Sequence, residues 1–208
     1  MNAKIYAAVF TVLSLNAFSD PGIIFRGGLN IASSSFDPAP PSAYEVGSRT
    51  GFNAALLMDI PANTSVHVLV GGGFEANGVS LTVAGKTTTD KFNYIVLPLL
   101  LSFGSPYRGP SGPVPRFFIN VGGIPSFLVS STSEPESGPS KDLTTVSGFD
   151  FALTGEMGAE MPTGVGRAMI LGAGYSRGLV NSMDISGSKQ EANNYAFKFY
   201  VGFKFGRN

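Results

Sequence analysis

The closing stretch of the chain, "NYAFKFYVGFKF", alternates without a break. Tyr195, Phe197, Phe199, Val201, Phe203 and Phe205 fall on one side, and Ala196, Lys198, Tyr200, Gly202 and Lys204 on the other. Successive side chains of an extended strand point to opposite faces, so this stretch is a strand with one uniformly apolar face and one that carries charge. A helix would scatter both sets around its circumference.

The same division recurs upstream. In "GFDFALTGEMGAEM" Phe149, Phe151, Leu153, Met157, Ala159 and Met161 share a face, and Asp150, Thr154, Glu156, Gly158 and Glu160 share its opposite. "GFNAALLMDI" sets Phe52, Ala54, Leu56, Met58 and Ile60 against Asn53, Ala55, Leu57 and Asp59. "SVHVLVGGGFE" sets Val66, Val68, Val70 and Phe74 against His67, Leu69 and Glu75, and "RFFINVGGIPSFLV" sets Phe117, Ile119, Val121, Pro125 and Phe127 against Phe118, Asn120, Gly122 and Ser126. With "IIFRGGLNIAS", "FNYIVLPLLLSF" and "AMILGAGYSRGL" the count of strands reaches eight, and no segment keeps a helical period.

The connections divide into long and short. Long ones are expected around 37–48, 76–91, 131–145 and 181–193, with short "PANT" and "PTGVG" between them and a Pro- and Gly-rich turn at 104–115. An even number of one-sided strands with nearly alternating long and short connections is the pattern of an antiparallel up-and-down transmembrane β-barrel, with long extracellular loops and short periplasmic turns. Composition agrees. Only 13% of the residues are charged, and Lys+Arg 14 balances Asp+Glu 14, which leaves no basic stripe for nucleic acid. At the N-terminus Lys4, the apolar run Ile5 to Leu15 and the small residues Ala17 and Ser19 form the three-part plan of a secretory signal. The expected organisation is therefore a signal peptide over 1–19, cleaved after Ser19, and a barrel domain over 20–208. The apolar run is too short for the roughly 20 residues of a spanning helix.

Three places, in order along the chain, carry a family resemblance: "FNYIVLPLLLSF", with Tyr94 and Pro98 framing an apolar strand, "GAGYSRGLVNS", and the alternating aromatic strand "YAFKFYVGFKF". From about residue 22 to the end the chain resembles the PorT-like group of compact bacterial outer-membrane β-barrel proteins. The resemblance implies a non-enzymatic barrel in the outer membrane. Its expected partners are the lipid bilayer, the barrel-assembly machinery and an envelope or extracellular protein met through the loops. Periodicity alone leaves open a soluble lipocalin-like carrier, with apolar side chains facing inward around a ligand. Favouring the membrane are the signal segment, the confinement of charge to one face, and Tyr94, Tyr175 and Tyr195 at strand ends, where aromatic residues suit a membrane interface.

Motifs of soluble chemistry are incomplete. "GYSRG" matches the G-x-S-x-G pattern at Ser176, but a polar tract follows instead of a helix, and the only histidine, His67, lies far upstream. "SLTVAGKT" lacks the first glycine of a phosphate-binding loop and is expected at a loop tip, and "NTS" at Asn63 reads as a turn. With no cysteine and one histidine, neither a catalytic set nor a metal or cofactor site is expected. The chemistry expected is in the lumen: Arg26, Asp59, Glu75, Asp150, Glu156, Glu160, Lys198 and Lys204 are expected to form a network that fills an eight-stranded interior, with Lys198 partnering Glu156. A small porin-like channel is the alternative.

Overall fold

The computed structural model describes residues 21–37, 44–106, 108–109, 112–143, 146–180 and 191–206. The expected signal peptide, most of the expected loop at 181–193, and residues 38–43 within the first loop lie outside the described residues.

Eight spanning strands form one antiparallel sheet: β1 (Gly22–Asp37), β2 (Tyr44–Pro61), β3 (Val66–Val83), β4 in two runs (Lys86–Val96 and Leu99–Gly104), β5 (Arg116–Pro135), β6 (Phe149–Gly164), β7 (Arg167–Gly178) and β8 (Glu191–Phe205). Each strand pairs with the next in sequence, and β8 returns to pair with β1 from Ile23↔Phe205 to Asp37↔Glu191. The ring of hydrogen bonds therefore closes. Both runs of β4 lie between the same neighbours in one register, Val96↔Ser126 and Leu99↔Gly123, so the break is local to Leu97 and Pro98, where proline has no N–H to give to the ladder.

The faces divide as the alternation requires. On β8, Phe199, Val201, Phe203 and Phe205 are about half exposed, while Ala196, Lys198, Tyr200 and Lys204 are buried. Ile23, Phe25, Leu29 and Ile31 of β1, and Leu99, Leu101 and Phe103 of β4, continue the same outward belt. This is the reverse of a lipocalin-like carrier: apolar outside, polar within. Aromatic pairs mark the upper edge of the belt, with Phe52 stacked on Phe74 at 5.3 Å, Phe127 against Phe149 at 5.5 Å and Tyr175 against Phe197 at 5.0 Å. Tyr175 and Tyr195 belong to this girdle, their rings 6.4 Å apart. Tyr94 does not. It is buried inside the barrel, because it lies in phase with Phe92 and Val96 on the lumen face of β4, and its hydroxyl accepts a hydrogen bond from Asn194 at 3.4 Å.

A second correction concerns the connection expected around 76–91. The ladder of β3 and β4 runs on to Val83↔Lys86, leaving a two-residue turn at Ala84 and Gly85. Both have positive φ, 48° and 76°, as in a type I′ turn, whose twist matches that of its strands. Hydroxyl pairs Ser80–Thr89 at 3.2 Å and Thr82–Thr87 at 3.0 Å line its outer face. The polar residues that read as loop are thus strand standing clear of the lipid. Strands of 18 to 20 residues in β2, β3 and β5 far exceed the roughly 9–11 that a bilayer needs.

A cation on the lipid face costs about 2–4 kcal/mol at the bilayer midplane and about 0–1 near the interfaces. Val201→Lys, midway between Phe197 of the upper girdle and Phe205, should therefore lower the stability of the barrel in lipid by about 2–4 kcal/mol, and Phe205→Lys, at the belt's lower edge, by no more than about 1 kcal/mol. Denaturant titration in vesicles checks the order, and equal costs at both positions would contradict the placement of the belt.

Candidate functional site: the lumen

The lumen is built in layers. At the end where the chain enters and leaves, His67 Nδ1 lies 2.7 Å from Asp59 Oδ1, and Lys204 pairs with Asp59. Lys204 also donates to Glu160 at 3.4 Å, and Arg116 donates to Glu160 at 2.8 Å and to Ser102 at 3.4 Å. An apolar layer of Ile24, Ala55, Leu57, Leu69, Leu100, Phe118 and Ile170 follows.

Above it, Glu156 is the hub. Arg26 grips it with two nitrogens, at 2.7 and 3.0 Å, while Asn120 and the Tyr200 hydroxyl each donate to it at 3.0 Å. The Arg26 guanidinium also stands 4.5 Å from the centre of the Tyr200 ring. A carboxylate buried in this way needs all of its lone pairs answered, and a bidentate arginine with two further donors does so. The pair Lys198–Glu75 lies alongside. Still higher, Val79, Phe92, Tyr94, Val96 and Ile124 form a second apolar layer.

Seven of the eight charges read from the sequence are thus brought into ion pairs, in partnerships that partly differ from the expected ones. Lys198 and Glu156 do share a row, through Gly174 of β7. A Cβ on Gly174 would meet Glu156 Cγ at 2.8 Å, so the glutamate chain occupies that gap and turns to Arg26, while Lys198 reaches across to Glu75. Asp150 stands apart and is held by backbone, its Oδ1 accepting the Phe151 amide at 2.7 Å. Arg116 was missed. Its signal was its phase, since it shares the even positions of Phe118 and Asn120.

The glycines of "GYSRG" acquire a meaning here. Gly174, Ser176 and Gly178 all face the lumen, and a Cβ on Gly178 would lie 2.8 Å from the Asp150 carboxylate. The spacing makes room for two acids, and His67 is engaged with Asp59. Likewise Gly172 leaves space for the Tyr200 ring and Gly104 for the Arg116 guanidinium, where a Cβ would fall 2.4 Å and 2.6 Å from those groups. Asn63 caps the β2–β3 turn, its side chain accepting the amides of Ser65 and Val66 at 2.9 and 2.8 Å.

Among the described residues, two voids in this interior are small. One of about 10 Å³ lies between the lower network and the Arg26 layer, and one of about 20 Å³ beside Glu75, Asp150, Asn194 and Lys198. Each has room for about one water molecule.

A model of the outer membrane protein beta-barrel domain family matches residues 19–184. The chain belongs to that family, and its closed antiparallel barrel with an outward apolar belt agrees with the match. Among solved structures, Neisserial surface protein A is similar at a TM-score of 0.51 and 12% identity, over 88% of this chain and 96% of that one. The outer membrane protein OprG from Pseudomonas aeruginosa is similar at 0.51 and 14%, over 89% and 96%. At these identities the likeness is one of fold. No curated protein sequence matches the chain.

Two tests follow from the layers. Lys198→Met strands Glu75 in the lumen, and breaking a buried pair on one side costs about 3–5 kcal/mol. Adding Glu75→Gln should recover part of that loss, whereas adding Glu156→Gln should not; the reverse result in unfolding titrations would refute the pairing. Higher up, beyond the belt, burial pushes the Asp90 carboxyl above its ordinary pKa, against a weaker hydrogen bond to Ser133, and among the described residues its Oδ1 has no hydrogen-bond partner. An acid whose pKa is raised by folding costs stability when ionised, and the cost vanishes as pH falls below the raised value. Asp90→Asn should therefore raise the unfolding temperature near neutral pH, with a gain that fades through the carboxylate range. A loss at neutral pH would count against it.

Proposed function

We propose that this chain is a closed, non-enzymatic barrel of the bacterial outer membrane, PorT-like in kind. In this reading it is exported by its signal peptide and inserted by the barrel-assembly machinery. Its work is done outside the lipid, in envelope structure, in assembly of envelope components or in contacts made by its extracellular end. The observation that carries the reading is the filled lumen: two charge networks alternating with two apolar layers, with voids of about 10 and 20 Å³ among the described residues. A solute would have to break buried ion pairs in succession to pass. Family membership and the lipid-facing belt support the location.

The strands give the extracellular end its substance. β3 and β4 continue as a hairpin to Ala84 and Gly85, and beyond β5 the short strand Lys141–Asp142 pairs back on Thr132 and Ser133. A partner meeting this end meets ordered sheet.

The mature protein should fractionate with outer membranes and run differently on gels before and after boiling, because a closed ring of backbone hydrogen bonds resists detergent. In planar bilayers it should show little steady conductance. Large, stable, ohmic channels from the wild-type protein would replace this reading with that of a small porin.

A further inference from the structure

The void of about 20 Å³ beside the Lys198–Glu75 pair lies in a layer with more acids than cations. Within that layer Arg26 is taken by Glu156 and Lys198 by Glu75. The other buried cations, Arg116 and Lys204, stand below the first apolar layer with Glu160 and Asp59. Asp150 is the third acid of the layer. It faces the same void as Glu75, and among the described residues no ion pair reaches it. Its hydrogen bonds come from neutral groups, the amides of Phe151 and Val180 and the Asn194 side chain. The next buried charge toward the mouth is again an acid, Asp90. Two carboxylates thus share one void with one ammonium.

β7 shapes the void with small residues. Its lumen positions above Gly174 are Ser176 and Gly178, and the Asp150 carboxylate lies over Gly178, where a Cβ would stand 2.8 and 3.0 Å from its two oxygens. Ser176, the next lumen position on the same strand, is 6% exposed and lines the void. Among the described residues its hydroxyl has no hydrogen-bond partner, whereas Thr154, in register with it, donates to the Tyr175 carbonyl at 3.1 Å. A buried hydroxyl without a partner costs free energy unless something in the void meets it. Ser126 and Asn77 line the same void with lone pairs to spare. The Ser126 hydroxyl donates to the Ile124 carbonyl, and the Asn77 side-chain oxygen accepts one bond, from Asn30.

We propose that this void binds one sodium ion, held by the carboxylates of Asp150 and Glu75 and by the side-chain oxygens of Ser126, Ser176 and Asn77. Carboxylate, hydroxyl and amide oxygens are the ligands of hard cations. One positive charge brings the two cations and three acids of the layer to neutrality, which water in the same place would not do. A divalent ion would overshoot beside the Lys198 ammonium, and among the described residues no three acids or histidines converge as such an ion requires. Room for about one water molecule is room for one ion without its hydration shell. The ion does not pass, because the Arg26–Glu156 pair and the apolar layer of Ile24, Leu57, Leu100 and Phe118 stand below it. Sodium is a structural ion of the upper lumen, and the glycine and serine of "GYSRG" leave the space for it.

The test refolds the full mature protein in phosphatidylcholine vesicles and unfolds it in urea at constant ionic strength, with sodium chloride replaced stepwise by N-methylglucamine chloride. An ion that binds only the folded state raises the folding equilibrium constant about tenfold for each tenfold rise in sodium beyond half-saturation. Wild type should show that dependence and lose it as pH falls, since a proton then neutralises Asp150 in the ion's place. Asp150→Asn should abolish it. Ser176→Ala, which removes one neutral ligand and serves if the aspartate variant does not fold, should move half-saturation to roughly tenfold higher sodium. Asp142→Asn, at an exposed acid of the outer wall, should behave as wild type. Equal stability of wild type in the two salts would mean that water alone fills the void and would overturn the proposal. So would a sodium dependence undiminished in Asp150→Asn or in Ser176→Ala, or one lost in Asp142→Asn. Gel mobility before and after boiling checks that each variant forms the barrel.

Discussion

Hydrocarbon offers no partner to a peptide N–H or C=O, so a chain that crosses a membrane as strands must satisfy its backbone within itself. In this protein that is done by the return of β8 to β1, fifteen register pairs from Ile23↔Phe205 to Asp37↔Glu191. Without that seam every spanning strand would belong to an open sheet with two unpaired edges in lipid. Closure then dictates the rest. Once the ring is shut, one face of each strand must meet acyl chains and the other must fill a space whose width the number of strands sets.

Eight strands enclose too little room for a water-filled channel and too much for small side chains alone. The interior is filled by long charged residues set against glycines. Tyr200 occupies the space over Gly172, Arg116 that over Gly104, and Glu156 that beside Gly174. The charges are tolerable because they are answered: Glu156 by four donor atoms on the three side chains Arg26, Asn120 and Tyr200, and Glu160 by Arg116 and Lys204. Alternating these networks with apolar layers keeps each cluster of charge compact, so that no carboxylate has to find its cation across an apolar gap.

Above the lipid the same strands change character without changing direction. The β3–β4 ladder continues past the belt, and its outward positions turn from Phe74 to Ser80 and Thr82. Water can hydrate such a surface.

Strand number and the grouping of residues onto two faces were legible in the sequence, because side-chain direction in a strand alternates with parity; which of the two faces meets lipid was not given by parity. Parity placed Asp59, Glu75, Asp150, Glu156, Glu160, Lys198 and Lys204 on the charged face, and it could equally have placed Arg116 there. Tyr94 was misread because its ring chemistry was weighed above its phase, and the β3–β4 hairpin was misread because polar strand and polar loop have the same composition. Partnership was not legible. Parity and register put Lys198 in the row of Glu156, but whether it turns to Glu156 or to Glu75 depends on the gap at Gly174 and on the reach of Arg26 across the lumen. Those are distances between strands remote in sequence, and only closing the barrel sets them. The sequence by itself determined which residues of a strand share a side of the wall; the tertiary structure decided which residues meet across the lumen, because contact there is a property of the closed ring and not of any one strand.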